Sequence, residues 1–301
     1  MHKRINLNGL FYIKNFKAFS ELVRLEHAVM YALAVIIGAL MVNIQVPIEK
    51  LFFGIVIAVL IEFGAFSLND YIDIKADKEN RRFDRPIVRK EVSPSTALFI
   101  GILSLLLANI ISLSMLDPFS FNVVIFFTLL SLAYDLFLKN LPLVGNVSIA
   151  LTMAIPFVFG ALLSSPGIIN NSNALQPVLF LSGIAFFVGT GREIMKDIED
   201  MRGDSLAGGK TLPILIGKAN AARLAVFFFI ISVILSIIPI FSFFSNNLFY
   251  LIVAITDIML LDISKDLFFD QSLSTLRKGR KLTLFAIVVG LFAFLLAALF
   301  K

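Results

Sequence analysis

Apolar runs of about 20 residues alternate along the chain with short polar connections. A helix that crosses the hydrocarbon core of a bilayer needs about 20 mainly apolar residues. On that measure the pattern predicts an all-α fold, a transmembrane bundle of nine helices around a central cavity, with boundaries that are soft by about 2–4 residues. The predicted spans are 26–45, 50–69, 96–115, 119–138, 144–164, 175–196, 218–242, 246–264 and 282–300.

Composition agrees with this pattern. The 301 residues are 58% hydrophobic and their mean hydropathy is +0.92, whereas soluble domains have an apolar share of about 45–50%. We therefore interpret the chain as a multi-pass protein of the cell membrane, with the lipid bilayer around it and with no sign of a nucleic-acid or protein partner. Cys is absent, which excludes disulfides and thiol catalysis.

Between residues 9 and 24, apolar residues recur at helical spacing with basic residues among them. This pattern is typical of an amphipathic helix that lies on the membrane surface. We expect one domain over residues 1–301, in which 1–25 form this interfacial segment and 26–300 form the nine transmembrane helices.

Lys and Arg are distributed unevenly between the two sides that nine spans create. Residues 1–25, 75–90, 192–223 and 265–281, together with Lys139, carry 24 of the 26, and only Lys50 and Lys301 fall on the other side. Cytoplasmic loops of membrane proteins carry an excess of Lys and Arg. The N-terminus and the connections after even-numbered spans are therefore predicted to be cytoplasmic, and the C-terminus to lie on the opposite side.

One acidic pattern occurs twice, each time at the predicted cytoplasmic end of a span: Asp70, Asp73 and Asp77, then Asp197, Asp200 and Asp204. Residues at i, i+3 and i+7 fall within roughly a 60° arc of a helix, so each triplet is predicted to form one acidic stripe. Because like charges on adjacent turns repel one another, a cation is expected there. The two His are far away at positions 2 and 27, so the ligands would all be oxygens, which suit Mg²⁺, Mn²⁺ or Ca²⁺.

Basic residues follow each triplet: Arg81, Arg82 and Arg85 after the first, Arg202 and Lys210 after the second. Carboxylates hold Mg²⁺, the metal bridges phosphate oxygens, and arginine takes the remaining charge. This order of acid and then base predicts a site for a metal-bound diphosphate.

A weak repeat indicates how the triplets are arranged. Asp70, Asp135, Asp197 and Asp262 are separated by 65, 62 and 65 residues, at the ends of spans two, four, six and eight. This spacing indicates a repeated helical hairpin. We expect the two triplets to face each other across one cavity.

Other acids are separate from the triplets. Glu62 lies seven residues before Asn69 and about two turns deeper, where a carboxyl is costly unless it lines a wet cavity or is protonated. It is therefore a functional candidate, and a hydrogen bond between helices is the alternative. The later acids are predicted to form a solvated helix end: Asp257, Asp262, Asp266 and Asp270.

Residues 69–77 (NDYIDIKAD) with 85–87 (RPI), and residues 191–204 (GREIMKDIEDMRGD), resemble the motifs of the UbiA superfamily of intramembrane prenyltransferases. The resemblance extends to the nine-span layout and so to nearly the whole chain. Residues 84–87, 191–200 and 210–214 are similar to archaeal digeranylgeranylglyceryl phosphate synthases in particular.

In that superfamily the two acidic motifs bind Mg²⁺ and hold the diphosphate of a polyprenyl donor. The resemblance implies two ions here, one held by Asn69, Asp73 and Asp77, the other by Asp197 with Asp200 or Asp204. It implies catalytic roles for Asp73, Asp77, Asp197 and Tyr134. Together with the candidates drawn from the residues themselves, the substrate-binding set is Arg24, Glu62, Asn69, Asp70, Arg82, Arg85, Lys139, Asn146 and Lys210.

The resemblance thus implies a Mg²⁺-dependent transfer of a polyprenyl group from an allylic diphosphate to a lipophilic acceptor. The archaeal synthases add geranylgeranyl to the hydroxyl of geranylgeranylglyceryl phosphate. An aromatic acceptor, as in quinone biosynthesis, is the alternative. An ion transporter is a more distant hypothesis, since buried carboxylates also mark ion pathways, but here the acids cluster at one face.

Overall fold

The computed structural model describes residues 11–79, 82–206, 208–243 and 247–300. Twelve α-helices occur in these residues. Three are short: α1 (Phe16–Val23), α4 (Ile74–Glu79) and α9 (Leu212–Ile216). The other nine are α2 (Leu25–Val42), α3 (Ile48–Ile72), α5 (Pro94–Met115), α6 (Pro118–Leu136), α7 (Val144–Ser164), α8 (Ser172–Leu206), α10 (Lys218–Ser242), α11 (Asn247–Phe269) and α12 (Leu273–Leu299).

These nine helices are long and apolar enough to cross a membrane, which confirms the predicted count for the described residues. Helices α8 and α12 exceed their predicted lengths the most. Helix α8 runs for 35 residues and carries the whole second acidic motif. It continues through Gly203 and ends at Leu206, two residues before Gly208, whose φ of 77° is not helical. Helix α12 begins at Leu273, where Ser272 accepts a hydrogen bond from the amide of Thr275 as an N-cap.

The N-terminal segment differs from the prediction. Residues 9 and 10 lie outside the described residues, and α1 begins only at Phe16, where the Asn15 side chain accepts a hydrogen bond from the Ala18 amide. Before it the chain is extended, and Ile13 forms an isolated antiparallel bridge with Val92. Helix α1 buries Ala18 and Leu22 against the protein. The segment is therefore a short helix packed on the bundle rather than one long surface helix.

Helix α5 shows why these helices belong in lipid. Its outward face carries large apolar side chains that are about half exposed, Phe99, Leu106 and Ile110 among them. Its inward face is small and weakly polar, with Gly101, Ser104, Ala108 and Ser112 buried. Small residues let membrane helices approach closely, whereas the apolar side chains contact hydrocarbon.

The nine long helices form a closed ring in which each one packs against the next in chain order, and α12 returns to pack against α2. Helix α2 also packs extensively against α7 inside this ring. At their crossing, a Cβ on Gly38 would lie 2.0 Å from the Phe157 carbonyl oxygen, and a Cβ on Gly160 would lie 2.0 Å from the Val35 carbonyl oxygen. The contact is therefore backbone against backbone, which only glycine permits.

We expect Gly38→Ala or Gly160→Ala to force α2 and α7 apart and to lower the free energy of unfolding by about 1–3 kcal/mol, as overpacking does. Thermal or denaturant unfolding of the purified protein, followed by circular dichroism, measures this. The matched control is Gly167→Ala, because a Cβ there would meet nothing within 4 Å. Equal unfolding midpoints for Gly38→Ala and Gly167→Ala would contradict this account of the crossing.

Candidate active site

The first acidic motif lies on two helices instead of one stripe. Helix α3 ends at Ile72 and α4 begins at Ile74, so Asp73 sits at the junction with φ −84° and ψ 5°. The continuous helix assumed for this triplet is therefore wrong, although Asp70 and Asp77 still share Arg85 as a partner. The junction keeps local hydrogen bonds, since the Asp73 amide donates to the Asn69 carbonyl at 2.9 Å. The Asp73 side chain contacts groups from elsewhere in the bundle, a tertiary effect that helical periodicity does not include.

Those contacts join three helical segments. The Asn69 side-chain amide donates to Asp73 Oδ2 at 3.0 Å and to Asp135 Oδ1 at 2.7 Å. The Lys139 ammonium, from a short 3₁₀ segment after α6, donates to Asp73 Oδ1. Candidates from the first motif and from the end of α6 thus meet in one cluster. Asp135, absent from the predicted site residues, is part of it.

Asp70 anchors a second group. Its carboxylate is 1% exposed, and Oδ1 lies 3.1 Å from Arg24 Nη2 and 3.2 Å from Arg85 Nη1. Arg24 stands between α1 and α2 in the left-handed region, with φ 46° and ψ 62°, and its guanidinium lies 4.2 Å from the centre of the Phe66 ring. A non-glycine residue in that region costs about 1–2 kcal/mol. The tertiary contacts of Arg24 offset this cost.

Arg82 connects the two motifs. It donates to both carboxylate oxygens of Asp84 at 3.1 and 3.2 Å, and its Nη1 lies 3.4 Å from Asp200 Oδ2 on α8. Burial alone would lower the pKa of Arg82, but the bonds to Asp84 and the charge of Asp200 raise it. Burial raises the pKa of Asp77 to about 6, against the lowering effect of Arg82. The adjacent Arg81 lies outside the described residues.

The second triplet forms the single helical stripe that the spacing predicted, because Asp197, Asp200 and Asp204 all lie within α8. The Asn146 side-chain amide, from the first turn of α7, donates to Asp197 Oδ2 at 2.7 Å. Asn146 is therefore placed beside the second motif. Lys210 is exposed in the connection between α8 and α9.

A cavity of about 350 Å³ lies inside the ring of helices. The end of the cavity beside the acidic motifs is lined by polar candidates: Arg24, Glu62, Asn69, Arg82, Arg85 and Tyr134. Its other end is apolar and includes Phe157, Leu181 and Phe294. Along α8 its lining runs from Leu181 to Lys196, which at 1.5 Å per residue is about 22 Å. The space therefore suits a molecule with an anionic head and a long apolar tail.

Asp257 corrects one prediction. It does not belong to a solvated helix end: it lies in the middle of α11, lines the cavity, and accepts a hydrogen bond of 2.7 Å from Ser236 Oγ. Asp262 and Asp270 are exposed, as predicted. Sequence position alone could not separate these acids, since all lie on α11 or directly after it.

Four charged residues of α8 and α12 line the cavity and were not among the candidates: Arg192, Glu193, Lys196 and Arg280. The first three belong to the 191–204 run, so a signal for them existed in the motif itself. Arg280 had none, because it lies before the predicted ninth span, and only the longer α12 brings it to the cavity.

The donor set fits a hard divalent cation, since its members are carboxylates and amide oxygens. Asp70 Oδ2 is buried and has no hydrogen-bond partner. Within the part of the chain that the structure describes, no three His, Asp or Glu side chains are gathered closely enough to hold an ion. Three of the proposed ligands instead contact nitrogen donors of the protein: Asp73 contacts Lys139, Asp197 contacts Asn146, and Asp200 contacts Arg82. An ion that binds these carboxylates therefore competes with nitrogen donors of the protein.

Comparison with known families decides the class of the protein. Residues 28–280 match the model of the UbiA prenyltransferase family. The chain belongs to this family. It is accordingly a multi-pass membrane protein and a prenyltransferase, as the resemblance of its motifs implied.

Individual relatives agree. A digeranylgeranylglyceryl phosphate synthase of Archaeoglobus fulgidus is 37% identical over 303 residues, covering 98% of this chain and 99% of the relative. A solved structure concerning digeranylgeranylglyceryl phosphate synthase in membranes matches with a TM-score of 0.73 and 26% identity, covering 94% of this chain and 98% of that one. A UbiA homologue from Archaeoglobus fulgidus bound to DMAPP and Mg²⁺ shares the fold, with a TM-score of 0.65, 16% identity, and coverage of 92% and 98%.

We expect Asp70→Asn to destabilise the UbiA-family bundle by about 3–5 kcal/mol, since removing one partner of a buried ion pair leaves uncompensated charge. Arg24 and Arg85 would both lose their shared anion. Denaturant unfolding measures the change. The control is Asp84→Asn, whose side chain is 59% exposed and whose loss should cost about 1 kcal/mol or less. Equal destabilisation by the two substitutions would contradict the anchoring role of Asp70.

Proposed function

We propose that this prenyltransferase transfers a geranylgeranyl group from geranylgeranyl diphosphate to the free hydroxyl of geranylgeranylglyceryl phosphate, in a reaction that depends on Mg²⁺. The observation that carries the proposal is the cavity. Its polar end is lined by Asn69, Arg82 and Arg85, which contact carboxylates of the two acidic motifs, and its apolar end extends along α8. The 37% identity with a digeranylgeranylglyceryl phosphate synthase over nearly the full chain supports the choice of acceptor.

Two metal ions are proposed. Asn69, Asp73 and Asp77 would hold one, and Asp197 with Asp200 or Asp204 would hold the other. Bound magnesium would neutralise charge on the diphosphate of the donor and make it a better leaving group. A homologue whose solved structure is bound to DMAPP and Mg²⁺ supports this combination of metal and donor.

The protein's own basic groups act on the same diphosphate. Arg82 and Arg85 line the cavity and lie among the acids of the first motif, and Lys139 contacts Asp73. As the bond between the allylic carbon and the diphosphate oxygen breaks, the electron pair leaves with the diphosphate. Preorganised cations stabilise such developing charge in a water-poor site. Lys210 is proposed to add positive charge from the cytoplasmic side.

The allylic carbon then forms a bond with the acceptor oxygen. Tyr134 lines the cavity at this level, where its ring would face the cationic carbon. The hydroxyl proton must go to a base, and we assign that role to Glu62, which lines the same cavity and is 3% exposed. The apolar walls exclude bulk water, which would otherwise capture the allylic cation.

We assign the acidic motifs to the cytoplasmic side of the membrane. Of the 26 Lys and Arg residues, 24 fall on the side that carries these motifs, which supports a cytoplasmic N-terminus and a C-terminus on the opposite side of the bilayer. Donor and acceptor would then place their heads at the cytoplasmic boundary and their tails among apolar side chains.

We expect Asp73→Ala and Asp197→Ala each to lower the rate of transfer by roughly 100-fold or more, because each removes a carboxylate that would hold the Mg²⁺ that stabilises the leaving group. Labelled geranylgeranyl diphosphate, saturating Mg²⁺ and geranylgeranylglyceryl phosphate provide the assay. The control is Asp262→Ala, since Asp262 holds the corresponding position of the repeat on α11 but is exposed. Unimpaired turnover in both variants would end the proposal, and transfer to an aromatic acceptor instead would change it.

We expect Glu62→Gln to slow transfer by roughly 10²–10⁴-fold while Mg²⁺-dependent donor binding is kept, since general-base catalysis contributes about that much. The amide has nearly the same shape but is not basic. Separate measurements of donor binding and of turnover distinguish the two effects. A variant that loses donor binding and turnover in parallel would show that Glu62 has a different role.

A further inference from the structure

Three charged residues of α8 directly precede the second acidic motif, and a charged residue of α12 lines the cavity with them. We call this group the inner basic site and define it as Arg192, Glu193 and Lys196 of α8 with Arg280 of α12, all of which line the cavity. Glu193 binds two of the cations, since Arg192 Nη1 lies 3.2 Å from Oε1 and Lys196 Nζ lies 2.7 Å from Oε2. The proposed steps of the reaction use none of these four residues.

Both arginines of the inner basic site have an N–H group without a hydrogen-bond partner. The Nε atoms of Arg192 and Arg280 are both buried and have no hydrogen-bond partner. A buried donor without an acceptor costs about 1–3 kcal/mol, and more when the group is charged. Two such donors lining one cavity therefore indicate a ligand that supplies acceptor oxygens.

The charge of the inner basic site indicates what kind of anion fits. The site consists of three cations and one carboxylate, so these four residues have a net charge of plus two. Arg280 Nη1 also lies 2.6 Å from Glu199, but Glu199 is shared with Arg277 Nε at 3.1 Å, outside the cavity lining. A phosphomonoester carries a charge of about −1.5 to −2 at pH 7, which matches this excess better than a single carboxylate does.

Lys196 directly precedes Asp197, whereas Arg192 is the part of the inner basic site that lies away from the groups assigned to the diphosphate. Arg192 precedes Asp197 by five residues and Asp204 by twelve, which at 1.5 Å per residue places it about 8–18 Å farther along α8 toward the apolar end. The cations beside the acidic motifs are Arg82, Arg85 and Lys139. One anion therefore does not need both groups.

Close packing between α8 and α12 holds the inner basic site together. A Cβ on Gly279 would lie 2.8 Å from Met195 Sδ, so α12 approaches α8 closely at the residue next to Arg280. This contact brings Arg280 beside residues that are about 80 positions earlier in the chain. The site therefore exists only in the closed ring.

We propose that the inner basic site binds the phosphate of the acceptor, and that Arg192 and Arg280 are its main specificity-determining residues. The inference rests on the proposed function, because it assigns a second anionic head to a cavity whose mouth is taken by the donor diphosphate. A phosphate fixed there holds the glycerol unit between the two anion sites. The free hydroxyl is then presented to the allylic carbon while both tails extend into the apolar part of the cavity.

The test uses the full-length purified enzyme and steady-state kinetics with Arg192→Gln and Arg280→Gln. With geranylgeranylglyceryl phosphate as the varied substrate, each variant should raise KM by roughly tenfold or more, as loss of a charged hydrogen bond does. The KM for geranylgeranyl diphosphate should stay within about twofold. The phosphate-free acceptor, geranylgeranylglycerol, should be a poor substrate for the original enzyme and should lose little further activity in the variants.

Arg277→Gln is the matched control, because Arg277 shares Glu199 with Arg280 but is 64% exposed and does not line the cavity. It should leave the KM values for geranylgeranylglyceryl phosphate and geranylgeranyl diphosphate, and the activity with geranylgeranylglycerol, unchanged. Arg192→Lys should recover part of the lost affinity, since it restores charge without the planar fork. Thermal unfolding of each variant shows whether it folds. The Arg280 side chain is 27% exposed, so Arg280→Gln still tests the proposal if Arg192→Gln does not fold.

An unchanged KM for the phosphorylated acceptor in folded Arg192→Gln and Arg280→Gln would overturn the inference. An equal rise with the phosphorylated and the phosphate-free acceptor would do the same. These outcomes differ from a failure of the proposed function, in which the original enzyme itself transfers nothing to geranylgeranylglyceryl phosphate.

Discussion

The structure depends on one constraint: carboxylates at the ends of apolar helices must have cationic or N–H partners. A charge taken out of water costs several kcal/mol unless it is paired and hydrogen-bonded. Asp70 meets this need with Arg24 and Arg85, and Asp197 meets it with Asn146. Each of these contacts joins residues that lie in different elements or connections of the bundle. At the helix ends, charge pairs therefore hold the parts of the bundle together, as apolar packing does elsewhere.

The same charge pairs place cations where an anionic substrate would bind. Lys139 and Arg82 contact Asp73 and Asp200, so carboxylates and cations alternate at the mouth of the cavity. A metal-bound diphosphate brings both signs of charge and can replace these internal pairs without leaving either sign uncompensated. Below this mouth, the excess of positive charge around Glu193 and the unpartnered Nε atoms of Arg192 and Arg280 provide for a second, simpler anion. Two lipids with anionic heads can thus be held in one apolar enclosure.

Closure of the ring makes that enclosure possible. Helix α12 returns to α2, and α2 crosses α7 through Gly38 and Gly160. Small residues on inward faces allow these close approaches, while large apolar side chains such as Phe99 and Ile110 face outward. The interior space left by this arrangement is polar at one end and apolar at the other. A reactive allylic cation generated there would be shielded from water along most of its surroundings.

Apolar run length and charge asymmetry are local properties, so the sequence by itself determined the number of spans and the family through its two acidic motifs. The stripe of Asp197, Asp200 and Asp204 was equally predictable because α8 is continuous. Helical periodicity could not reveal the break at Asp73 or the place of Asp257 in the cavity, because tertiary contacts decide both. Arg280 reaches the cavity only because α12 begins early and packs on α8. Pairing between distant residues is a property of the closed ring, and only the tertiary structure decided it.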